Sequence, residues 1–371
     1  MPLYLTDDQT MLRDSARDFM AAEGSIQKQL RHWRDRNCKD GFGHGLWKQF
    51  GEMGFTGILV DEADGGLGLG HVEAGIVLEE IGRNLTPSPF LTTAVAVVEA
   101  LRGTALRECW LPGILAGETV AALAVDEGAK HRPESIAAKA DRSGNGFRLN
   151  GRKQFVVQGA SADFIVVAAR AEEGLTLFAV EKEAKGLEIE GVRLADSSIG
   201  ARIDFNDVEV TSDAVIGEVG ASQAILSRVL NAGRAGAASE MVGLGSAAMD
   251  MTVDYLRQRK QFGKLIGEFQ ALQHRSAHLY SELEIARAAA LKAQQLLDEG
   301  SAEAEAMVSV AKAKAGRVST LAVQEGVQMH GGIGMTDEYD IGLYMKRDRV
   351  LNELFGDANY HADKLARMNG Y

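Results

Sequence analysis

Apolar residues at Met11, Leu12, Ala16, Phe19 and Met20 recur three and four apart behind Thr6 and Gln9, which have the spacing of a capping box. They predict an amphipathic helix. A second helix is expected from His44 to Met53, closed by Gly54, and a third from His71 to about Arg83. The GGLGLG stretch between them resembles a dinucleotide fingerprint, but it follows two helices instead of opening a strand–turn–helix unit and reads as a turn. Pro87 and Pro89 bracket another turn, after which helix is expected through Leu101 and Trp110 to Leu115. Residues 1–118 therefore read as an all-helical domain.

From Ala121 the period falls to two. The runs AALAV, GFRLN, KQFVVQG, DFIVVAAR, LTLFAVE, LEIEGV and ARIDFNDVEV predict about seven strands, with a turn at Gly144-Asn145-Gly146, in a small β-barrel or sandwich over 119–218. Helical spacing then returns in Leu226–Tyr255, in Ala271–Leu297, in a run from near Ala302 and in Ala358–Met368, as in an antiparallel bundle over 219–371. The fold class expected is α+β and multidomain: helical, β, helical.

The 371 residues are 46% hydrophobic and 25% charged, which suits a globular protein with a substantial core. A formal net charge of −12 and the lack of a Lys/Arg-rich tract exclude nucleic acid as an expected partner. No run of 18 or more apolar residues argues for a membrane span, and the N-terminus lacks the basic-then-apolar order of a signal peptide, so a cytoplasmic location is expected. Cys38 and Cys109 have no metal-like spacing, and no metal is expected.

Two stretches carry candidate chemistry. In YLRQRKQFGKLIGEFQALQ, Tyr255–Gln273, the cations Arg257, Arg259 and Lys260 stand beside Phe262 and the glycines Gly263 and Gly267, at what reads as a helix end, a short turn and a new helix start. Cations beside an aromatic and a bare backbone suit a nucleotide, although a basic helix C-terminus meeting the macrodipole explains the cations alone. In QMHGGIG, Gln328–Gly334, three glycines end a helix where a C-cap needs one.

Together these stretches resemble the C-terminal domain of the acyl-CoA dehydrogenase family. EEIGR (Glu79–Arg83), NGRKQFVVQGASADFIVVAAR (Asn150–Arg170) and KGLEIEGV (Lys185–Val192) extend the resemblance over essentially the whole chain. It implies FAD held at a dimer interface and α,β-dehydrogenation of an acyl-CoA thioester, with an electron-transfer flavoprotein as acceptor and a homo- or hetero-oligomeric dimer of dimers. Arg259 would meet the pyrophosphate, Gln261 and Phe262 the adenine and ribose, and Gln328, Gly331, Gly332 and Gly334 would let the backbone close over the dinucleotide. On the flavin-ring side, Ala124-Val125-Asp126-Glu127-Gly128 and Ser135 replace the family's turn, and Phe155 and Val157 replace its Trp and Thr, so one hydroxyl is missing.

The resemblance places the general base at one of two positions, and here these hold Gly356 and Gly233. Two carboxylates are substitutes: Asp357, which otherwise caps the last helix, and Glu240, otherwise an interior carboxylate paired with a neighbouring helix. Asn231 and Arg234 match residues lining the thioester pocket. The FGDANYH run resembles the small subunits of pimeloyl-CoA-type and steroid side-chain acyl-CoA dehydrogenases, assigned to dicarboxylyl, cyclic or steroid-derived acyl groups. Two readings follow, a complete dehydrogenase or a non-catalytic FAD-supporting subunit of a heteromeric one. A flavin monooxygenase or acyl-CoA oxidase of the same fold is a third.

Overall fold

The computed structural model describes residues 3–371. Two compact units emerge from its contacts. One gathers the chain up to Lys28, His71–Thr86 and Arg234–Tyr371; the other gathers Gln29–Gly70 and Pro87–Gly233.

The first unit is helical. Asp7–Ala22 starts on the Thr6–Gln9 capping box, with both reciprocal bonds formed. His71–Asn84 packs against the long helix Gln223–Gln258 at the closest distance backbones allow: a Cβ on Gly82 would lie 2.1 Å from the Glu240 carbonyl oxygen, and one on Gly243 1.9 Å from that of Glu79. Glycine is required at both positions because any side chain would displace a main chain. Gln270–Asp298, Ala304–His330, Ile341–Glu353 and Ala358–Met368 complete this unit. Asp298, at the end of its helix, accepts the amides of His71 and Val72 at 2.7 and 3.2 Å and so caps the helix that begins there.

The second unit carries an eight-stranded sheet. Its strands are β1 (Ala121–Ala124), β2 (Lys139–Ser143), β3 (Gly146–Val157), β4 (Phe164–Ala171), β5 (Gly174–Glu181), β6 (Leu187–Arg193), β7 (Ile199–Thr211) and β8 (Val215–Ile216). The order is β6-β7-β3-β2-β4-β5-β8, with β1 parallel to β4. Phe147, Leu149, Ile165, Val167, Phe178, Val180, Ile203 and Phe205 alternate inward to form the core.

The strands differ in detail from the sequence expectation. GFRLN and KQFVVQG are one strand, β3, because Gly151, at φ 144, absorbs the apparent turn as a bulge within the ladder to β7. The charged β2 and two-residue β8 lack the apolar alternation that marks strands, and only pairing reveals them. The expected helix from Pro89 to Leu115 is also broken: a π-helical stretch Phe90–Val97 runs into Val98–Leu101, the chain turns at Gly103 (φ 74), and helix restarts at Arg107.

Candidate functional site

The helix Gln223–Gln258 does not pass directly into the next. Lys260–Gln261 and Lys264–Leu265 pair as a minimal hairpin around Phe262-Gly263, both with positive φ (54 and 79), the geometry of a type I′ turn. The Ile266 amide closes it onto the Arg259 carbonyl at 2.9 Å. This hairpin replaces the simple turn expected from sequence. It puts Phe262 92% into solvent, in a backbone conformation that residues with a Cβ rarely adopt. Arg259 and Gln261 are exposed beside it.

Helix Ala304–His330 ends at Gly331, whose φ is 64. Gln328, Gly331 and Gly332 are exposed, and a Cβ on either glycine would meet no atom within 4 Å. Gly334 instead turns inward, where a Cβ would stand 2.9 Å from the Val327 carbonyl oxygen. The rings of Tyr255 and His330 meet tilted at 4.5 Å between centroids, and those of His330 and Tyr339 at 4.6 Å, which ties the end of Gln223–Gln258 to the end of Ala304–His330. His330 Nδ1 lies 2.7 Å from the Gly326 carbonyl oxygen, and burial holds the imidazole below its ordinary pKa, favouring the neutral form. An exposed guanidinium beside an exposed ring, and an open glycine backbone at the end of Ala304–His330, are groups of the kind that meet an anionic dinucleotide.

In the β unit, Phe155 sits half-buried at φ 53, in the irregularity between Lys153 and Val156. Val157 is buried opposite Gly200 and has no hydroxyl to offer. Gln158, also at positive φ, accepts from Thr92 Oγ1 at 3.0 Å. The loop that follows β1 is stapled through Lys153 and His131, which the sequence reading did not single out. Lys153 Nζ donates to the Val125 carbonyl at 3.0 Å and to Glu127 Oε1 at 2.8 Å, and Glu127 accepts the amides of Ala137 and Ala138. Burial works to raise the Glu127 pKa, but the Lys153 bond and those two amides outweigh it and hold the carboxyl below its ordinary value. His131 Nδ1 lies 2.9 Å from both oxygens of Asp126. A lysine at an inward position of β3 was the available signal.

Neither substitute for the base stands exposed to a cavity as an idle carboxylate. Glu240 is buried, and Arg347 donates to its Oε1 through Nε at 2.8 Å and Nη2 at 2.6 Å. Asp357 is the N-cap of Ala358–Met368, accepting the amides of Asn359 and Tyr360 at 3.0 and 2.8 Å. At Gly356, φ is 100 and a Cβ would meet Tyr360 Cδ1 at 2.4 Å. Gly233 is buried within Gln223–Gln258.

Arg234, 2% exposed, donates from Nε to the Phe355 carbonyl at 3.2 Å and from Nη2 to the Tyr360 hydroxyl at 3.2 Å. Its guanidinium lies 5.5 Å from the Tyr360 ring centroid. Asn231, one turn earlier, is buried in the other unit. His361 Nε2 lies 3.1 Å from the Phe355 carbonyl oxygen; burial first, then Arg234 and Lys312, push its pKa down to about 2. Among the described residues no cluster of His, Cys, Asp or Glu has the arrangement of a metal site, and no helix is long and apolar enough to cross a membrane.

Three family models match, described as the acyl-CoA dehydrogenase N-terminal domain over residues 6–118, middle domain over 123–208 and C-terminal domain over 222–369. The mitochondrial isovaleryl-CoA dehydrogenase of Solanum tuberosum is 33% identical over 326 residues, covering 83% of this chain and 78% of that one. Among solved structures, a variant of the Tcur3481-Tcur3483 steroid ACAD is 28% identical with a TM-score of 0.90, covering 98% of each chain. The glutaryl-coenzyme A dehydrogenase glutaryl-CoA complex is 25% identical with a TM-score of 0.91, covering 100% of this chain and 96% of that one. This chain belongs to the acyl-CoA dehydrogenase family, flavoprotein oxidoreductases that dehydrogenate acyl-CoA thioesters.

Proposed function

We propose that this chain works in α,β-dehydrogenation of an acyl-CoA thioester as the FAD-supporting member of an assembly of unlike subunits. The observation that carries this reading is a contrast between two sets of residues. The dinucleotide-facing residues Arg259, Gln261, Phe262, Gln328, Gly331 and Gly332 are exposed, while the two aligned base positions are glycines and the nearby carboxylates are engaged elsewhere.

Arg259 would neutralise the pyrophosphate, Phe262 would lie against the adenine or ribose, and the Gly331-Gly332 backbone would admit close approach. In the β unit, Phe155 would cover a ring face and Val157 would leave one hydrogen bond unmade. FAD, when bound, supplies the two-electron acceptor for the β-hydrogen. Abstraction of the α-proton then falls to a carboxylate on the partner chain. Steroid-derived, cyclic or dicarboxylyl thioesters are the acyl groups favoured, on the strength of the FGDANYH run and the steroid ACAD relative. An electron-transfer flavoprotein as acceptor and a cytoplasmic location complete the reading.

A second reading, a complete dehydrogenase with Asp357 as base, is favoured by the half-buried position of Asp357 directly after Gly356. The deciding experiment is the flavin content of the chain purified alone, followed by anaerobic bleaching with a panel of acyl-CoA thioesters. Colourless protein that gains flavin and activity only with a co-expressed unlike subunit supports the proposal. Stoichiometric FAD bleached by one thioester overturns it.

A further inference from the structure

Lys312 lies on Ala304–His330 and is 1% exposed. Its Nζ donates to the carbonyls of Leu351 at 3.0 Å, Asn352 at 3.4 Å and Gly356 at 2.9 Å. An ammonium has three N–H donors and no acceptor, so its valence matches these three oxygens. Two of them belong to the last turn of Ile341–Glu353, where a helix leaves carbonyls without intrahelical partners. The third belongs to the turn beyond, where Phe355 and Gly356 both have positive φ (60 and 100). Such a turn persists only when its surroundings over-determine it. Arg234 and His361 hold the Phe355 carbonyl from two other helices.

We propose that Lys312 is a positioning residue whose ammonium ties the end of Ile341–Glu353 to the turn Leu354–Gly356 and thereby fixes where Asp357 stands. The proposal rests on packing within the helical unit and is independent of the flavin reading. The tether depends on protonation. Burial foremost, with Arg234 adding to it, pushes the Lys312 pKa down to about 7, against the opposing charges of Asp348, Asp357 and Glu353. Of the groups facing it, Arg234 stays charged and His361 stays neutral across this range. Burial raises the Asp348 pKa, against hydrogen bonds from Ser319 and Thr320, the charge of Lys312 itself and a hydrogen bond from Asn352. A neutral amine keeps two N–H groups, and its lone pair then faces one carbonyl oxygen.

Local and global effects have opposite signs. Between about 7 and the ordinary value of 10.5 the unfolded chain binds the proton that the folded chain has lost, so this group's contribution to global stability rises with pH. The tether weakens over the same rise. Hydrogen exchange of a peptide spanning 351–360 in the full chain, corrected for intrinsic rates from pH 6 to 8.5, separates the two. Protection should fall about fivefold with a midpoint near 7, the loss of one net hydrogen bond. Lys312→Arg should stay protected throughout, and Lys312→Met should be poorly protected at every pH. Protection in the wild type that ignores pH, or a step that survives in Lys312→Met, overturns the proposal. If the Met variant does not fold, the wild-type and Lys312→Arg profiles decide.

Discussion

The Tyr360 ring fills the volume in which a side chain on Gly356 would begin, with Cδ1 2.4 Å from an ideal Cβ. The aligned base position is therefore closed by sterics as well as by the absence of a carboxylate. Gly356→Glu is expected to destabilise the chain by about 1–3 kcal/mol without creating a base, through the clash and a φ of 100. Adding Tyr360→Ala should recover part of the loss. Melting temperatures of the single and double variants test this, and an unchanged single variant would contradict the packing.

Glu240 is held by Arg347, so its first role is to neutralise a largely buried guanidinium. Glu240→Gln should cost roughly 3 kcal/mol, because it removes the carboxylate that pairs with that charge. Replacing both, as Glu240→Gln with Arg347→Met, should cost less than the single change. Denaturant unfolding of the set would reveal the coupling, and additive losses would refute it.

Asp357 caps Ala358–Met368 by accepting hydrogen bonds from two backbone amides. Asp357→Ala should therefore lose about 1 kcal/mol, while Asp357→Asn keeps the cap. In the assembled flavoprotein Asp357→Asn should bleach with acyl-CoA at the wild-type rate. A fall of about 10²–10⁴ would instead identify Asp357 as the general base.

Phe262 makes an edge contact with Phe269 at 6.3 Å and otherwise faces solvent. Phe262→Ala should change the stability of the isolated chain by no more than about 0.5 kcal/mol. The flavin recovered with the assembly should fall several-fold. Equal flavin content in both would remove Phe262 from the dinucleotide surface.

The Lys153–Glu127 pair predicts an acid-sensitive loop. Glu127 has a folded pKa below its ordinary 4.5, so its stabilising contribution is present above that value and disappears as pH falls through the folded one. The amides of Ala137 and Ala138, which donate to Glu127, should lose exchange protection in acid, and in Glu127→Gln already at neutral pH. Retained protection in the variant would show that the sheet alone holds the loop.

The amino-acid sequence by itself determined the helical, β, helical order, the Thr6–Gln9 cap, the turn at Gly144-Asn145 and the span of Ala358–Met368. These features follow from side-chain periodicity and hydrogen bonds within a few residues, which act at short range along the chain. It also singled out Arg259, Phe262 and the glycines after Gln328 as candidates for dinucleotide binding. Only the tertiary structure decided that Phe262 stands on a strained hairpin, that Gly356 lies under Tyr360, and that Glu240 is held by Arg347, 107 residues away. The Lys312 tether, reaching 44 residues to Gly356, was equally invisible. What a buried charge does depends on which distant group replaces its lost water, and that is fixed by packing between helices, not by the residues beside it in the chain.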